Sequence, residues 1–243
     1  MEQVKLEFKY EFCDSVTAFP VIIVAAGSST RMKGINKQLF SLCGMPVIVR
    51  TLMQFDDSPF VSRIILVVRK EDVLSMQQLI SEYKIDKLTD IVEGGADRHA
   101  SVINGISRLK SEEEKVMIHD GARPLVDNFV IGNVALALES CDAVICGTKI
   151  VDTVKRADEN GNIIETVDRN GLFSVQTPQG INVKEYLKIC DTLSDLSLFT
   201  DDAGIFEAAS MPVKIVTGSP KNVKITTPDD IRLAELYLKG EEL

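Results

Sequence analysis

Short runs of uncharged apolar residues alternate along this chain with longer segments whose apolar residues recur every three or four positions. The runs are typical of strands buried on both faces of a parallel sheet, and the spaced pattern is typical of helices packed against one. Strands are predicted over residues 21–26, 64–68, 88–92, 116–118, 143–151 and 213–216. Helices are predicted over residues 45–55, 73–83, 100–109, 127–140, 183–193, 200–209 and 227–239. The alternation predicts an α/β fold with a mostly parallel sheet flanked by helices.

Residues 153–166 break this alternation. Two short runs of strand type, VKRAD and IIETV, flank the sequence ENGN, where Gly161 suits the positive φ of a tight turn. We therefore predict a β-hairpin arm over about residues 152–170, inserted into a single domain that spans residues 19–243. A two-stranded hairpin is barely stable by itself, so we expect the arm to pack on another surface, such as a second subunit. Residues 1–18 form an N-terminal extension whose alternating apolar positions predict a half-buried strand.

The overall charge limits the partners of this chain. Its 243 residues carry a formal net charge of −9 and a sequence pI near 4.9, so no global positive field attracts nucleic acid or an anionic membrane. A phosphate ligand must therefore be met by local cations. The five cysteines are scattered, without the pattern of a disulfide framework or a zinc site. With no apolar run long enough to span a membrane and no signal-peptide pattern, we expect a cytoplasmic protein.

Residues 21–38 combine a buried strand with a basic loop. Gly27 permits close approach of the backbone to a ligand, hydroxyl-bearing residues follow it, and Arg31, Lys33 and Lys37 place three cations within seven positions. Free N–H groups beside fixed positive charge are what a chain of phosphates requires. A solvated basic turn after a strand explains the same residues equally well. The loop matches neither G-x-x-x-x-G-K-[ST] nor G-x-G-x-x-G, so it gives no support to an ATPase or a dinucleotide site.

Polar residues also follow other predicted strands, at Gly94 with Gly95 and at Asp120 with Gly121. Because ligands of parallel α/β sheets bind beyond the carboxyl ends of the strands, we expect these positions and Gly27 to surround one site. Asp120 is suited to hold Mg²⁺ against a triphosphate, although an Asp before Gly is more often simply part of a turn.

Three further polar residues have a structural explanation beside a chemical one. The hydroxyl of Ser101 suits either the recognition of a base edge or the capping of a helix. Arg169 and Lys224 lie on irregular stretches beside predicted strands, where most cations are simply solvated. The acidic run at residues 112–114 is expected to be the solvated end of a helix.

Eight motifs occur in a characteristic order between residues 21 and 238. They are AAGSSTRM with the later KQ, EGGADRHAS, HDGARP, VDTVKR, VDRNG, QTPQ, TDDA and NVKIT. In this order they resemble the 2-C-methyl-D-erythritol 4-phosphate cytidylyltransferase family of the non-mevalonate isoprenoid pathway. The resemblance implies a Rossmann-like fold and transfer of CMP from CTP to 2-C-methyl-D-erythritol 4-phosphate with release of pyrophosphate. It also implies a homodimer in which the β-arms are exchanged between subunits.

The resemblance further implies a nucleotide site with a divalent cation. Arg31 and Lys37 would neutralise the charge that grows on the α-phosphate, and Asp120 would hold Mg²⁺. Gly95 and Ser101 would select cytosine. The residues implied to bind CTP are Ala25, Ala26, Gly27, Ser28, Gly95, Ser101 and Gly121.

For the acceptor, the resemblance implies contacts from Thr153, Arg169, Thr177 and Lys224. The arm of the neighbouring subunit would supply Thr153 and Arg169. An oxygen of the acceptor phosphate would attack the α-phosphorus of CTP in line, without a covalent enzyme intermediate. The residues implied to be catalytic are Arg31, Lys37, Arg169 and Lys224.

The chain departs from the common family pattern at three positions, and two other functions stay open. Asn36 stands where Pro usually precedes Lys-Gln, Gly121 where Ala is frequent, and Lys221 where some members have an acid that could help to hold the metal. Ribitol 5-phosphate cytidylyltransferase looks similar throughout the CTP half, although VDRNGLF and VDTVKR favour the methylerythritol enzyme. A non-catalytic nucleotide-binding module is the other alternative, and the joint presence of the catalytic cations argues against it.

Overall fold

The computed structural model describes residues 17–27 and 37–240. The part of the extension that was expected to form a strand lies outside these ranges. The strands are β1 (Phe19–Val24), β2 (Ser41–Leu42), β3 (Met45–Pro46), β4 (Val61–Val68), β5 (Leu88–Glu93), β6 (Lys115–Asp120), β7 (Ala143–Lys149), β8 (Val154–Ala157), β9 (Ile163–Val167), β10 (Phe173–Asn182) and β11 (Lys214–Thr217). The α-helices are α1 (Val47–Asp56), α2 (Val73–Ser81), α3 (Arg98–Ile106), α4 (Asn128–Ser140), α5 (Val183–Cys190), α6 (Ala203–Ala208) and α7 (Pro228–Lys239).

Seven strands form one mixed sheet in the order β11-β7-β10-β6-β1-β4-β5. Neighbours pair in parallel except at β10, which runs antiparallel between β6 and β7. The predicted α/β fold with a mostly parallel sheet is confirmed. The strand β10 is absent from the predictions because its sequence, FSVQTPQGIN, carries a proline and several polar residues, which are unusual in a central strand.

The central strand β1 shows why buried strands read as continuous apolar runs. Its side chains alternate between two cores: Ile23 packs with residues of α1, α2 and α4, whereas Ile22 packs with residues of α3, α5 and α6. Both side chains are fully buried. A strand that helices cover on both faces has no polar face, so the polar residues gather where it ends.

Local capping sets the ends of several helices. Asp127 caps α4 by accepting a hydrogen bond from the N–H of Val130 (3.0 Å). Thr227 and Asp230 form a capping box at the start of α7, where Pro228 is the first residue. Both helices begin as predicted. Among the helices of the described ranges, none is both long and apolar enough to cross a membrane.

The acidic run at residues 112–114 is not wholly solvated, contrary to the expectation. The guanidinium of Arg63 donates to both carboxylate oxygens of Glu113, at 2.8 and 2.7 Å, and the side chain of Glu113 is only 13% exposed. Burial alone would raise the pKa of Glu113, but Arg63 and the N–H of Lys110 lower it overall. The run therefore supplies the counter-ion of a largely buried arginine in β4.

The predicted arm is confirmed as a hairpin. Strands β8 and β9 pair antiparallel in a two-stranded sheet of their own. Gly161 lies in the turn between them with φ +83°, a conformation that glycine adopts without steric cost. Ile163 and Ile164 of β9 are 60% and 62% exposed, so a single copy of the chain leaves both isoleucines of the arm largely open to solvent.

Candidate active site

The carboxyl ends of β1, β5 and β6 meet at one edge of the sheet. The segments that follow them enclose a cavity of about 330 Å³. Its walls bring together cations from three distant parts of the chain, Lys37, Arg98 and Lys224, with the carboxylate of Asp120. Seven of the residues predicted from the sequence line it: Ala26, Gly27, Lys37, Gly95, Ser101, Asp120 and Lys224.

Asp120, the last residue of β6, is surrounded by cations. Its Oδ2 lies 2.9 Å from Nζ of Lys224 and 3.3 Å from Nε of Arg123, and its Oδ1 lies 3.9 Å from Nε of Arg98. Burial alone would raise the pKa of Asp120, but these three cations hold it well below its ordinary value. The carboxylate is therefore ionised, and the cations around it outnumber it, which suits a polyanionic ligand.

A second cavity, of about 210 Å³, adjoins the first. Arg98, Asp120 and Lys224 line both cavities and form a shared wall between them. The other walls of the second cavity include Arg123 and Thr177. Because the two cavities meet at one cluster of charged residues, two anionic ligands can bind with their charged groups next to each other.

Hydrogen bonds within the NVKIT segment hold Lys224 beside Asp120. The N–H of Ile225 donates to the carbonyl of Ala122 (2.8 Å), and Nδ2 of Asn222 donates to the carbonyl of Thr177 (2.8 Å). Asn222 is fully buried. Hydrogen bonds thus hold the segment on both sides of Lys224, and they keep the ammonium group of Lys224 beside Asp120 in the shared wall.

His119 and Thr177 fix the backbone of Asp120 from behind. The imidazole is fully buried, and burial lowers the pKa of His119 to about 3, so the ring is neutral. Nε2 donates to the carbonyl of Arg123 (3.2 Å), which leaves Nδ1 to accept from the hydroxyl of Thr177 (3.0 Å). The same hydroxyl oxygen accepts from the N–H of Asp120 (3.0 Å). The hydroxyl proton of Thr177 is therefore used in the hydrogen bond to His119.

Ser101 fastens the glycine loop that follows β5. Its hydroxyl accepts from the N–H of Gly95 (3.0 Å) and donates to the carbonyl of Asp97 (2.8 Å). Asp97 in turn caps α3 by accepting from the N–H of Ala100 (2.8 Å). The capping explanation for Ser101 is therefore wrong, because Asp97 is the cap and Ser101 lies within the first turns of α3; its hydroxyl instead ties the glycine loop to the helix, and its position on the cavity wall keeps the chemical explanation available.

Two predicted CTP-binding residues lie behind the wall. Ala25 is 4% exposed. Gly121 donates its N–H to the carbonyl of Val24 (2.9 Å) and accepts at its own carbonyl from the hydroxyl of Thr51 (2.9 Å). Gly121 therefore connects β6 to β1 and α1, while the neighbouring Ala122 lines the cavity.

The remaining predicted residues are not brought to the cavities by the described part of a single chain. Ser28 and Arg31 lie outside the described residues. Thr153 and Arg169 lie at the base of the arm and line neither cavity. Arg169 is exposed, and its Nη1 donates to the carbonyl of Val151.

Three charged residues of the site were missing from the predictions: Arg98, Arg123 and Asp202. Nη2 of Arg98 donates to Oδ2 of the fully buried Asp202 (2.7 Å). Arg98 comes three positions after Gly95, and Arg123 three positions after Asp120. A cation shortly after a predicted strand end is the signal that could have identified Arg98 and Arg123. The same signal identified Lys37 in the basic loop after β1.

Similar proteins match nearly the whole chain. The family model for 2-C-methyl-D-erythritol 4-phosphate cytidylyltransferase matches residues 19–240. A protein of that name from Clostridium acetobutylicum is 41% identical over 225 residues, which cover 91% of this chain and 98% of the relative. Another from Syntrophus aciditrophicus is 39% identical, with 91% and 96% covered. A crystal structure of 4-diphosphocytidyl-2C-methyl-D-erythritol synthase from Anaerococcus prevotii has a TM-score of 0.81 at 31% identity and covers 92% of this chain and 96% of its own.

Proposed function

Since this chain belongs to the 2-C-methyl-D-erythritol 4-phosphate cytidylyltransferase family, we propose that its two adjoining cavities bind CTP and 2-C-methyl-D-erythritol 4-phosphate and that the substrates react at the shared wall. The chain is a nucleotidyltransferase of isoprenoid biosynthesis. The observation that carries the placement is the wall itself, where Arg98, Asp120 and Lys224 face both cavities.

The first cavity suits the nucleotide. Gly27 and Lys37 line it beside β1, where the backbone and a cation meet the triphosphate. Gly95 and Ser101 line it at the start of α3, where a backbone carbonyl and a hydroxyl contact the cytosine edge. Ser28 and Arg31 complete the phosphate loop in this proposal, and Ala25, Ala26 and Gly121 shape its base.

The second cavity suits the acceptor. Lys224 and Arg123 offer charge to its phosphate, and Thr177 holds the adjacent backbone in place. Thr153 and Arg169 reach the acceptor from the arm of a second subunit in this proposal. The exposed position of Arg169 and its absence from both cavities of its own chain support that assignment.

Catalysis then consists of positioning and charge. An oxygen of the acceptor phosphate attacks the α-phosphorus of CTP, a new P–O bond forms, and the bond to the β-phosphate breaks as pyrophosphate leaves. The two anions repel each other, so the cations of the wall must already be in place when they meet. Two unit charges 4 Å apart interact by about 4 kcal/mol near a protein surface, against about 1 kcal/mol in water. Cations fixed around Asp120 provide this attraction without reorganisation.

The residues present fit a divalent cation, which we propose to be Mg²⁺. Asp120 is ionised and lies on the wall of both cavities, and Mg²⁺ is commonly held by one or two carboxylates together with substrate phosphates and water. Within residues 17–27 and 37–240 there is no cluster of three metal-binding side chains. Lys221 stands where some family members have an acid that could help to hold the metal. Its Nζ lies 5.9 Å from the centre of the Tyr237 ring, so this lysine packs on α7. Bound Mg²⁺ would neutralise charge on the phosphates.

We further propose that the enzyme is a cytoplasmic homodimer joined through the arm. Ile163 and Ile164 are largely exposed on a hairpin that is too small to be stable alone, and a second copy would cover them. We expect light scattering to give twice the chain mass for the wild type. The double variant Ile163→Asp with Ile164→Asp should give the chain mass. A monomeric wild type would contradict the exchange of arms.

The function is tested by pyrophosphate release from CTP and Mg²⁺ with the purified protein. Methylerythritol 4-phosphate and ribitol 5-phosphate are offered in separate reactions, and Lys221→Ala serves as a surface-lysine control. Release with the first acceptor is the expected result. Release with ribitol 5-phosphate alone would overturn the acceptor assignment and leave the CTP cavity standing. A folded protein that binds CTP but is silent with both acceptors would overturn the proposed reaction.

A further inference from the structure

Arg98 is the one member of the shared wall that has no role in the sequence-based predictions. It is the first residue of α3, its side chain is 25% exposed, and it lines both cavities. Asp120 and Lys224, the other members of the wall, already have assignments. A cation between two sites that bind phosphates is placed to contact both ligands.

A buried carboxylate holds Arg98 in this place. Oδ2 of Asp202 accepts from Nη2 of Arg98 at 2.7 Å, while Oδ1 of Asp202 accepts from the hydroxyl of Tyr186 at 3.2 Å. The backbone N–H of Asp202 donates to Oε1 of Gln179 (3.0 Å). Asp202 and Tyr186 are both fully buried. Asp202 is therefore held at its backbone by Gln179 and at Oδ1 by Tyr186, and its Oδ2 fixes the guanidinium in turn.

Arg98 does not depend on Asp120 for its position. Its Nε lies 3.9 Å from Oδ1 of Asp120, well beyond the 2.7 Å of its contact with Asp202. Lys224 and Arg123, by contrast, lie 2.9 and 3.3 Å from Oδ2 of Asp120. When Asp120 takes up a metal ion, Arg98 keeps its anchor.

One nitrogen of Arg98 lacks a partner. Nη1 is buried and has no hydrogen-bond partner among the residues that the structure describes. A guanidinium carries five N–H donors in a fixed fork, and its planar geometry matches phosphate oxygens. A buried donor without an acceptor costs free energy, so the site is built to receive an acceptor there. The phosphate oxygens of the two substrates are the acceptors that the proposed function brings to this wall.

We propose that Arg98 is a catalytic residue that binds phosphate oxygens of both substrates where they react, and that Asp202 is the positioning residue that holds it. This inference rests on the proposed function. The pair gives the enzyme a cation that is oriented before either substrate arrives. Such preorganised charge acts on the transition state because it needs no rearrangement during the reaction.

Steady-state kinetics of pyrophosphate release with CTP and methylerythritol 4-phosphate test the assignment. We expect Arg98→Gln to lower kcat by about 100-fold, the usual effect of removing one preorganised donor, and to raise KM for both substrates. Arg98→Lys keeps the charge without the fork and should recover about tenfold of that loss. Arg63→Gln, which removes another largely buried and carboxylate-paired arginine near the opposite edge of the sheet, is the matched control and should keep kcat.

A double-mutant cycle separates positioning from folding. Asp202→Asn should lower kcat, and adding it to Arg98→Gln should cost no more than twofold, because the aspartate acts through the arginine. Tyr186→Phe, which removes the hydroxyl contacts to Asp202 (3.2 Å) and to Nδ1 of His99 (3.3 Å) but keeps the carboxylate, should give a milder loss if Asp202→Asn does not fold. Additive losses would overturn the role of Asp202, and a wild-type kcat in folded Arg98→Gln would overturn that of Arg98.

Binding measurements keep this inference separate from the proposed function. Calorimetric titration with CTP and with pyrophosphate needs no turnover, and Arg98→Gln should weaken both by about tenfold. If the wild type is silent with both acceptors, the proposed reaction fails while this titration still tests Arg98. Unchanged affinity for both probes would then overturn the inference.

Discussion

The glycine loop after β5 allows a sharp test of how the nucleotide cavity is built. A Cβ added at Gly95 would lie 2.3 Å from Cβ of Ala100, and 2.8 and 3.0 Å from its carbonyl carbon and Cα. Carbon atoms prefer separations near 3.5 Å, so Gly95→Ala requires the loop and the first turn of α3 to separate by about 1 Å. The change would also weaken the hydrogen bond from Gly95 to Ser101.

The expected cost follows from these two effects. Overpacking costs about 1–3 kcal/mol, and weakening the hydrogen bond from Gly95 to Ser101 adds up to about 1 kcal/mol. At about 2–4 °C of melting temperature per kcal/mol for a chain of this size, Gly95→Ala should melt about 5–10 °C lower than the wild type. A misplacement of about 1 Å at a site can reduce turnover by about 100-fold, so we expect kcat/KM for CTP to fall by about 10- to 100-fold.

Gly27→Ala is the matched control for this variant. A Cβ at Gly27 meets no described atom within 4 Å, so the described part of the fold has no steric reason to change. We expect an unchanged or slightly higher melting temperature together with weaker CTP binding, because the methyl group enters the space proposed for phosphates. Thermal melts and pyrophosphate-release kinetics measure both variants. Wild-type melting and CTP kinetics in Gly95→Ala would refute the packing argument.

Three further predictions concern other parts of the chain. Lys37→Ala should cut turnover by orders of magnitude and leave the melting temperature unchanged, because it removes charge from the CTP cavity. Near-normal kinetics of this variant would contradict the assignment of Lys37. Arg169→Ala should raise KM for the acceptor chiefly, and equal harm to CTP in the same assay would contradict its placement. The pKa of Glu113 is lowered from 4.5, so its stabilising effect is complete above that pH and is lost as the pH falls through the lower folded value. Urea unfolding should show Glu113→Gln less stable than the wild type by about 1–3 kcal/mol at pH 7, with the gap shrinking towards pH 3; a gap independent of pH would count against the ion pair.

Much of the fold was predictable because its signals are local. The capping residues Asp127 and Thr227 mark helix starts within a few positions, and the Gly161 turn marks the hairpin. The location of the site at one edge of the sheet was predictable from one general rule, that ligands bind at the carboxyl ends of parallel strands. That rule predicted that Gly27, Gly95 and Asp120 surround one site, and all three line the first cavity.

The missed features depend on contacts between distant segments. Arg98 and Asp202 are 104 positions apart, and no local pattern marks either as the partner of the other. Strand β10 is polar because its residues face the site and its neighbours: Thr177 bonds with His119 and Asp120. Glu113 looked solvated because its partner, Arg63, lies 50 positions away. Tertiary structure gives such residues their roles.

The antiparallel course of β10 has a consequence for how such an enzyme can diversify. Because β7 ends and β10 begins at the same edge of the sheet, the arm leaves and re-enters the domain at that edge, and Val175 and Gln176 near the start of β10 line the second cavity. Its length and sequence can therefore change without altering the order of the seven strands or the loops around CTP. In the proposed assignment, where the arm supplies Thr153 and Arg169 to the acceptor of the neighbouring subunit, acceptor preference becomes a replaceable module on a constant scaffold for CTP, and exchanging arms between related enzymes offers a direct route to new polyol phosphate substrates.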